Sequence, residues 1–166
     1  MEYQSSINKR LFSELFARYS NTFIALCELV NNPLQARAKE IRITIVPAPV
    51  DKLTESPFES ITIRDNGVGV SRSDFRWKIL EIATDAKQGG RGIGRFAALQ
   101  IGATMAIETV AYDQPEDCFY RTSVAIKSAG WGDLKTLDKI RLDVNHTKLS
   151  DIPTPYYQVE ITDFYT

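Results

Sequence analysis

Three groups of residues in this sequence have the types and spacing for chemistry. Glu28 and Asn32 stand four positions apart in ALCELVNNPLQ, so a helix carries them on one flank, with Gln35 within about 60° of both. That flank sets a carboxylate and two amides beside an otherwise apolar stripe. Asp65 opens DNGVGV (65–70), where Gly67 and Gly69 follow it at two and four positions. A third group, TDAKQGGRGIG (84–94), places Gly89, Gly90, Gly92 and Gly94 ahead of a helical run. Glycines there let backbone N–H groups close on an anion, and a helix start favours negative charge. Lys87, Arg91 and Arg95 add positive charge to the same stretch. A phosphate group is the ligand that this third group fits.

Each signal has an ordinary reading when taken singly. Asp-x-Gly-x-Gly is also a common turn, with Asp capping and Gly supplying positive φ. The glycine run also suits a surface loop, and Glu28 alone suits a solvated helix position. GGRGIG does not follow a first strand as G-x-G-x-x-G and lacks a succeeding GK[ST], so the dinucleotide and P-loop patterns both fail on spacing.

Composition narrows the field further. The chain has 166 residues, a net charge of -1, two cysteines and one histidine. That length suits one domain with its own core, and the charge balance excludes a uniformly basic nucleic-acid binder. Cys27 and Cys118 are too few and too far apart for a disulfide framework or an ordinary zinc site, and Cys27 suits a packed thiol. His146, in DVNHT, is expected in a solvated loop, and Trp77 and Trp131 are expected to pack. No apolar run reaches the roughly 18 residues of a membrane span, and the start MEYQSSINKR lacks the apolar core of a signal peptide. A cytoplasmic location without membrane contact is the expectation.

The elements that must position these groups follow from periodicity. Leu11, Phe12, Leu15 and Phe16 predict a helix over 7–19, and Phe23, Cys27, Val30 and Leu34 predict the core stripe of a second, 23–36. Alternation predicts strands at 40–46, 60–64, 104–112, 119–127, 140–144 and 157–161. Helices are predicted at 71–82, capped by Ser71 or Ser73, and at 95–101. This order predicts an α+β, two-layer sandwich, with helices on one face of a mixed, mostly antiparallel sheet.

In their order, the motifs resemble the GHKL superfamily of ATP-binding domains, the Bergerat fold of gyrase B, heat-shock-90-type chaperones, histidine kinases and MutL. ALCELVNNPLQARAKEIRITI (25–45) is similar to the family's N-box helix and strand, and ITIRDNGVGV (61–70) to its adenine box. KQGGRGIGRFAALQIG (87–102) resembles its lid and second glycine box, and VEITDF (159–164) its closing strand. The resemblance implies an enzyme that binds ATP with magnesium and hydrolyses it. Glu28 would be the general base, Asn32 the magnesium ligand and Asp65 the acceptor for the adenine amine. Gly67 and Gly69 would pass the base closely, while Gly90, Gly92, Ile93 and Gly94, with Lys87 and Arg91, would cradle phosphates.

The resemblance further implies one domain over 1–166, the N-terminal motor or clamp of a longer protein that dimerises on ATP, its client or nucleic-acid partner unspecified. Glu28 stands where histidine kinases usually carry Asn, which favours hydrolysis over phosphotransfer. Asn31, Pro33, Gln35 and Tyr156-Tyr157 depart from the family pattern. Pro33 is expected to kink its helix at the magnesium ligand. A scaffold kept only for interaction is the alternative these departures imply.

Overall fold

The computed structural model describes residues 2–4, 22–35, 38–52, 56–80, 94–128 and 141–165. Seven strands form one sheet: β1 (Glu2–Gln4), β2 (Ile41–Pro47), β3 (Phe58–Asp65), β4 (Gly102–Asp113), β5 (Cys118–Lys127), β6 (Arg141–Lys148) and β7 (Tyr156–Phe164). Their order across the sheet is β1-β6-β5-β4-β7-β3-β2. Every pairing among the described residues is antiparallel. The parallel component expected of a mixed sheet is absent among the described residues for a topological reason. β3 and β4 point the same way and are joined through helical segments, but β7 lies between them and pairs antiparallel with both.

Period-two alternation gives the sheet one buried face. Ile61 and Ile63, Met105 and Ile107, Val124 and Ile126, and Val159 and Ile161 all point into the core. The opposite face carries Glu108, Ser123, Gln158 and Glu160. Among the described residues β2 ends the sheet beside β3, and its Ile43 and Ile45 stay 45% and 54% exposed although they alternate as the sequence predicts.

Helical segments cover the buried face, as the two-layer expectation requires. α1 spans Thr22–Gln35. It packs mainly against a 3-10 helix, Gly94–Gln100, whose Ala97, Ala98 and Leu99 are wholly buried. α1 turns a different stripe inward from the one predicted. Ala25 and Leu29 are buried and Phe23 is 70% exposed, with Cys27 and Val30 only half-buried. Residues 23–27 and 29–30 are apolar almost all round the wheel, so periodicity does not select a face. Ala25 and Leu29 join the core with Ala97, Ala98 and Leu99, and packing against the 94–100 helix decides the rotation.

The kink expected at Pro33 is not a break, since the helix is continuous through this buried residue to Gln35. Proline's missing N–H costs one bond near the helix end, and the Pro33 carbonyl is taken up by the Ala38 N–H at 3.1 Å. α2 (Arg72–Phe75) starts at Ser71, whose side chain accepts from the Asp74 N–H, and continues as one π-helical turn, Arg76–Leu80. The helix expected at 7–19 lies outside the described residues.

Candidate functional site

The turn after β3 is built around Asp65. Asp65 is 3% exposed, and its Oδ1 accepts the Gly67 N–H at 2.8 Å. Burial pushes this carboxyl above the ordinary aspartate value of 3.8, and the Gly67 hydrogen bond opposes that shift. One oxygen is therefore fixed by its own turn, leaving the second to accept from a ligand. Gly69 has φ +67°, the left-handed region that favours glycine. A Cβ there would stand 2.4 Å from the Val110 carbonyl oxygen and 2.9 Å from both Thr109 Oγ1 and the Tyr156 carbonyl oxygen. The glycine is needed because the turn lies directly on β4 and β7.

Asn66 links this turn to α1. Its Oδ1 accepts the N–H groups of Lys39 and Glu40, both at 2.9 Å, while its own N–H donates to the Glu40 carbonyl at 3.2 Å. Together with the Ala38–Pro33 bond, these contacts fix the end of α1 relative to Asp65. Nothing in the sequence beyond the Asn-Gly dipeptide signalled that role.

α1 brings Glu28 and Asn32 to the start of the 94–100 helix. A Cβ on Gly94 would lie 3.1 Å from Glu28 Oε2 and 3.7 Å from Asn32 Oδ1. The glycine-box backbone, a carboxylate and an amide oxygen thus meet at one point. Lys87, Gly90, Arg91, Gly92 and Ile93 lie outside the described residues, as does Trp131.

A cavity of about 170 Å³ joins the two halves, lined by Asn32, Pro33, Asp65, Gly69, Val70, Ile79 and Tyr157. Pro33, Val70, Ile79 and the Tyr157 ring give it apolar walls, with polar side-chain groups from Asp65, Asn32 and Tyr157 among its described lining. A flat heteroaromatic ring with an exocyclic donor suits such a lining. Tyr157 pairs with Asp65 across β3 and β7 and with Thr109 across β7 and β4. It therefore stands in the cavity wall, and the cavity persists beside it. Val70, Ile79, Thr109 and Asn66 were not legible as site residues, because apolar residues, a strand Thr and a turn Asn are ordinary at those positions.

Behind the turn, α2 is anchored to the β4–β5 end of the sheet. The Ser73 N–H donates to the buried Asp113 carboxylate at 2.8 Å, and Arg72 pairs with Glu116 at 2.9 Å. His146 is not in the solvated loop expected for it. It lies in β6, half-buried, with Nδ1 2.9 Å from Thr122 Oγ1 and its ring edge-on to Phe75. Alternation carries β6 past the predicted end at residue 144, which turns this ring inward. Burial lowers the imidazole from its ordinary value, the nearby Arg72 charge adds to that, and Asp113 opposes it. Among the described residues, no three His, Cys, Asp or Glu side chains converge on a metal position.

The family of histidine kinase-, DNA gyrase B- and HSP90-like ATPases matches residues 19–154. The chain belongs to this GHKL-type ATPase family, and its antiparallel sheet with helices on one face is consistent with that fold. Membership points to ATP binding and, generally, to ATP hydrolysis. No curated protein matches the chain. Among the described residues, no helix is long and apolar enough to cross a membrane.

Proposed function

We propose that this domain binds ATP together with magnesium and hydrolyses it, serving as the nucleotide-driven clamp of a larger protein. The observation that carries the reading is the meeting of Glu28, Asn32 and the Gly94 backbone beside the Asp65 cavity. Asp65 accepts the exocyclic amine of adenine through the oxygen not held by Gly67. The apolar walls desolvate the base, which strengthens that single polar contact.

Glu28 then acts on water. Its carboxylate takes a proton as the water oxygen bonds to the γ-phosphorus and the bond to the β-phosphate oxygen breaks, releasing ADP and phosphate. Asn32 supplies one oxygen ligand, which fits magnesium because that ion takes few protein ligands and fills its shell with water and phosphate oxygens. When bound, the ion would neutralise phosphate charge. The continuous α1 supports this role, since Pro33 leaves Asn32 beside both Gly94 and the cavity. ATP-dependent self-association of the full-length protein belongs to the same reading.

Calorimetric titration with ADP, with and without magnesium, tests the binding half. Binding that strengthens with magnesium and disappears in Asp65→Asn is expected. Binding indifferent to magnesium would remove Asn32 from its role.

A further inference from the structure

We propose that Thr109 is a positioning residue for the base-binding turn, an inference that rests on the nucleotide reading above. Thr109 lies in the middle of β4, is fully buried, and touches none of the proposed reacting atoms. Its hydroxyl joins two backbone groups that no strand ladder joins. Oγ1 accepts the Val70 N–H at 2.9 Å and donates to the Tyr156 carbonyl at 2.8 Å. Only a hydroxyl of this size does both, because it carries one donor and spare acceptor lone pairs. A β-branched side chain also has few χ1 choices, so the hydroxyl direction is fixed by the strand.

The consequence reaches Asp65. The turn is held at one end by Gly67 N–H on Asp65 Oδ1 and at the other by Val70 N–H on Thr109. Between them Gly69 rests against Val110, Thr109 and Tyr156 with no room for a side chain. The carboxylate that reads the base is thus aimed from both sides, and its direction is referred to β4 and β7. Without the Thr109 hydroxyl, Val70 N–H and the Tyr156 carbonyl lose their shared partner at a buried position, and the turn shifts to regain one.

The test uses the whole chain with Thr109→Val, which keeps shape and removes the hydroxyl, and Thr109→Ser, which keeps the hydroxyl. Thr109→Val is expected to weaken ADP binding about tenfold, or about 1.4 kcal/mol. It should raise KM for ATP by a similar factor and leave kcat within about twofold, because Glu28 is untouched. Thr109→Ser should restore most of the affinity. A merely structural Thr would lower stability without this split between KM and kcat. Unchanged ADP affinity in Thr109→Val beside a binding wild type would overturn the inference alone, whereas a wild type that binds no ADP would overturn the nucleotide reading with it. Should Thr109→Val not fold, amide exchange in the wild type decides. Val70 N–H is expected to be as protected as the β4 amides, and exchange at the rate of an exposed turn would overturn the proposal.

Discussion

Replacing Gly69 by Ala probes the turn most sharply, because both costs can be worked from its geometry. The residue sits at φ +67°, where a Cβ costs about 1–2 kcal/mol on conformation alone. That Cβ would also stand 2.4 Å from the Val110 carbonyl oxygen and 2.9 Å from the Tyr156 carbonyl oxygen. Both oxygens belong to strands inside the sheet and do not yield as a flexible side chain would. The turn must lift instead, and lifting breaks the bond from Val70 N–H to Thr109, worth about 1 kcal/mol. The sum is about 2–3 kcal/mol out of the roughly 5–15 kcal/mol of an ordinary domain. With a urea dependence of about 1–3 kcal/mol per molar, the unfolding midpoint should fall by about 1–3 M. The lifted turn also carries Asp65, so ADP affinity should fall by more than about tenfold in the same preparation. A Gly69→Ala protein with an unchanged midpoint and unchanged ADP affinity would refute this account of the turn.

Other consequences follow from the same structure. Gly102→Ala, whose Cβ would meet the Thr162 carbonyl oxygen at 2.4 Å, should lower the urea midpoint but leave nucleotide affinity of the folded protein nearly intact. Asp65→Asn should abolish ADP binding and yet stabilise the fold at pH 7. The carboxyl is raised above 3.8 in the fold, so its contribution to stability declines as pH rises from 3.8 through the folded value, and the neutral amide escapes that cost. For the wild type, ADP titrations should show binding weakening on the acid side from a pH above 3.8. His146 is lowered in the fold, so the unfolded chain binds the proton more tightly. Stability present above 6.5 should fade as pH drops below it towards the folded value, and His146→Asn should flatten that slope in urea melts.

The sequence carried more of the site than of its supports. As candidates, Glu28, Asn32, Asp65, Gly69 and Gly94 were legible because their types and order are unusual in combination, and the structure places Glu28, Asn32 and Gly94 together. The strands were legible because one face is buried, so alternation survives in Ile61-Ile63 and Met105-Ile107. α1's rotation was not, since Phe23 to Val30 is apolar on nearly every side and packing against the 94–100 helix decides it. The Tyr157–Thr109–Thr122–His146 row was hidden for a different reason. Those residues lie on four strands and become neighbours only through register, which no local pattern encodes. Pro33 does not interrupt α1, because it stands near the helix end, where its carbonyl still accepts the Ala38 N–H.

The central claim is that Glu28 activates water at a magnesium–ATP site. Its most direct test compares wild type and Glu28→Ala in parallel for ADP affinity and single-turnover ATP hydrolysis. The account predicts that affinity stays within about threefold while hydrolysis falls to the uncatalysed background. Hydrolysis that survives the substitution, in a protein that still binds ADP, would contradict it.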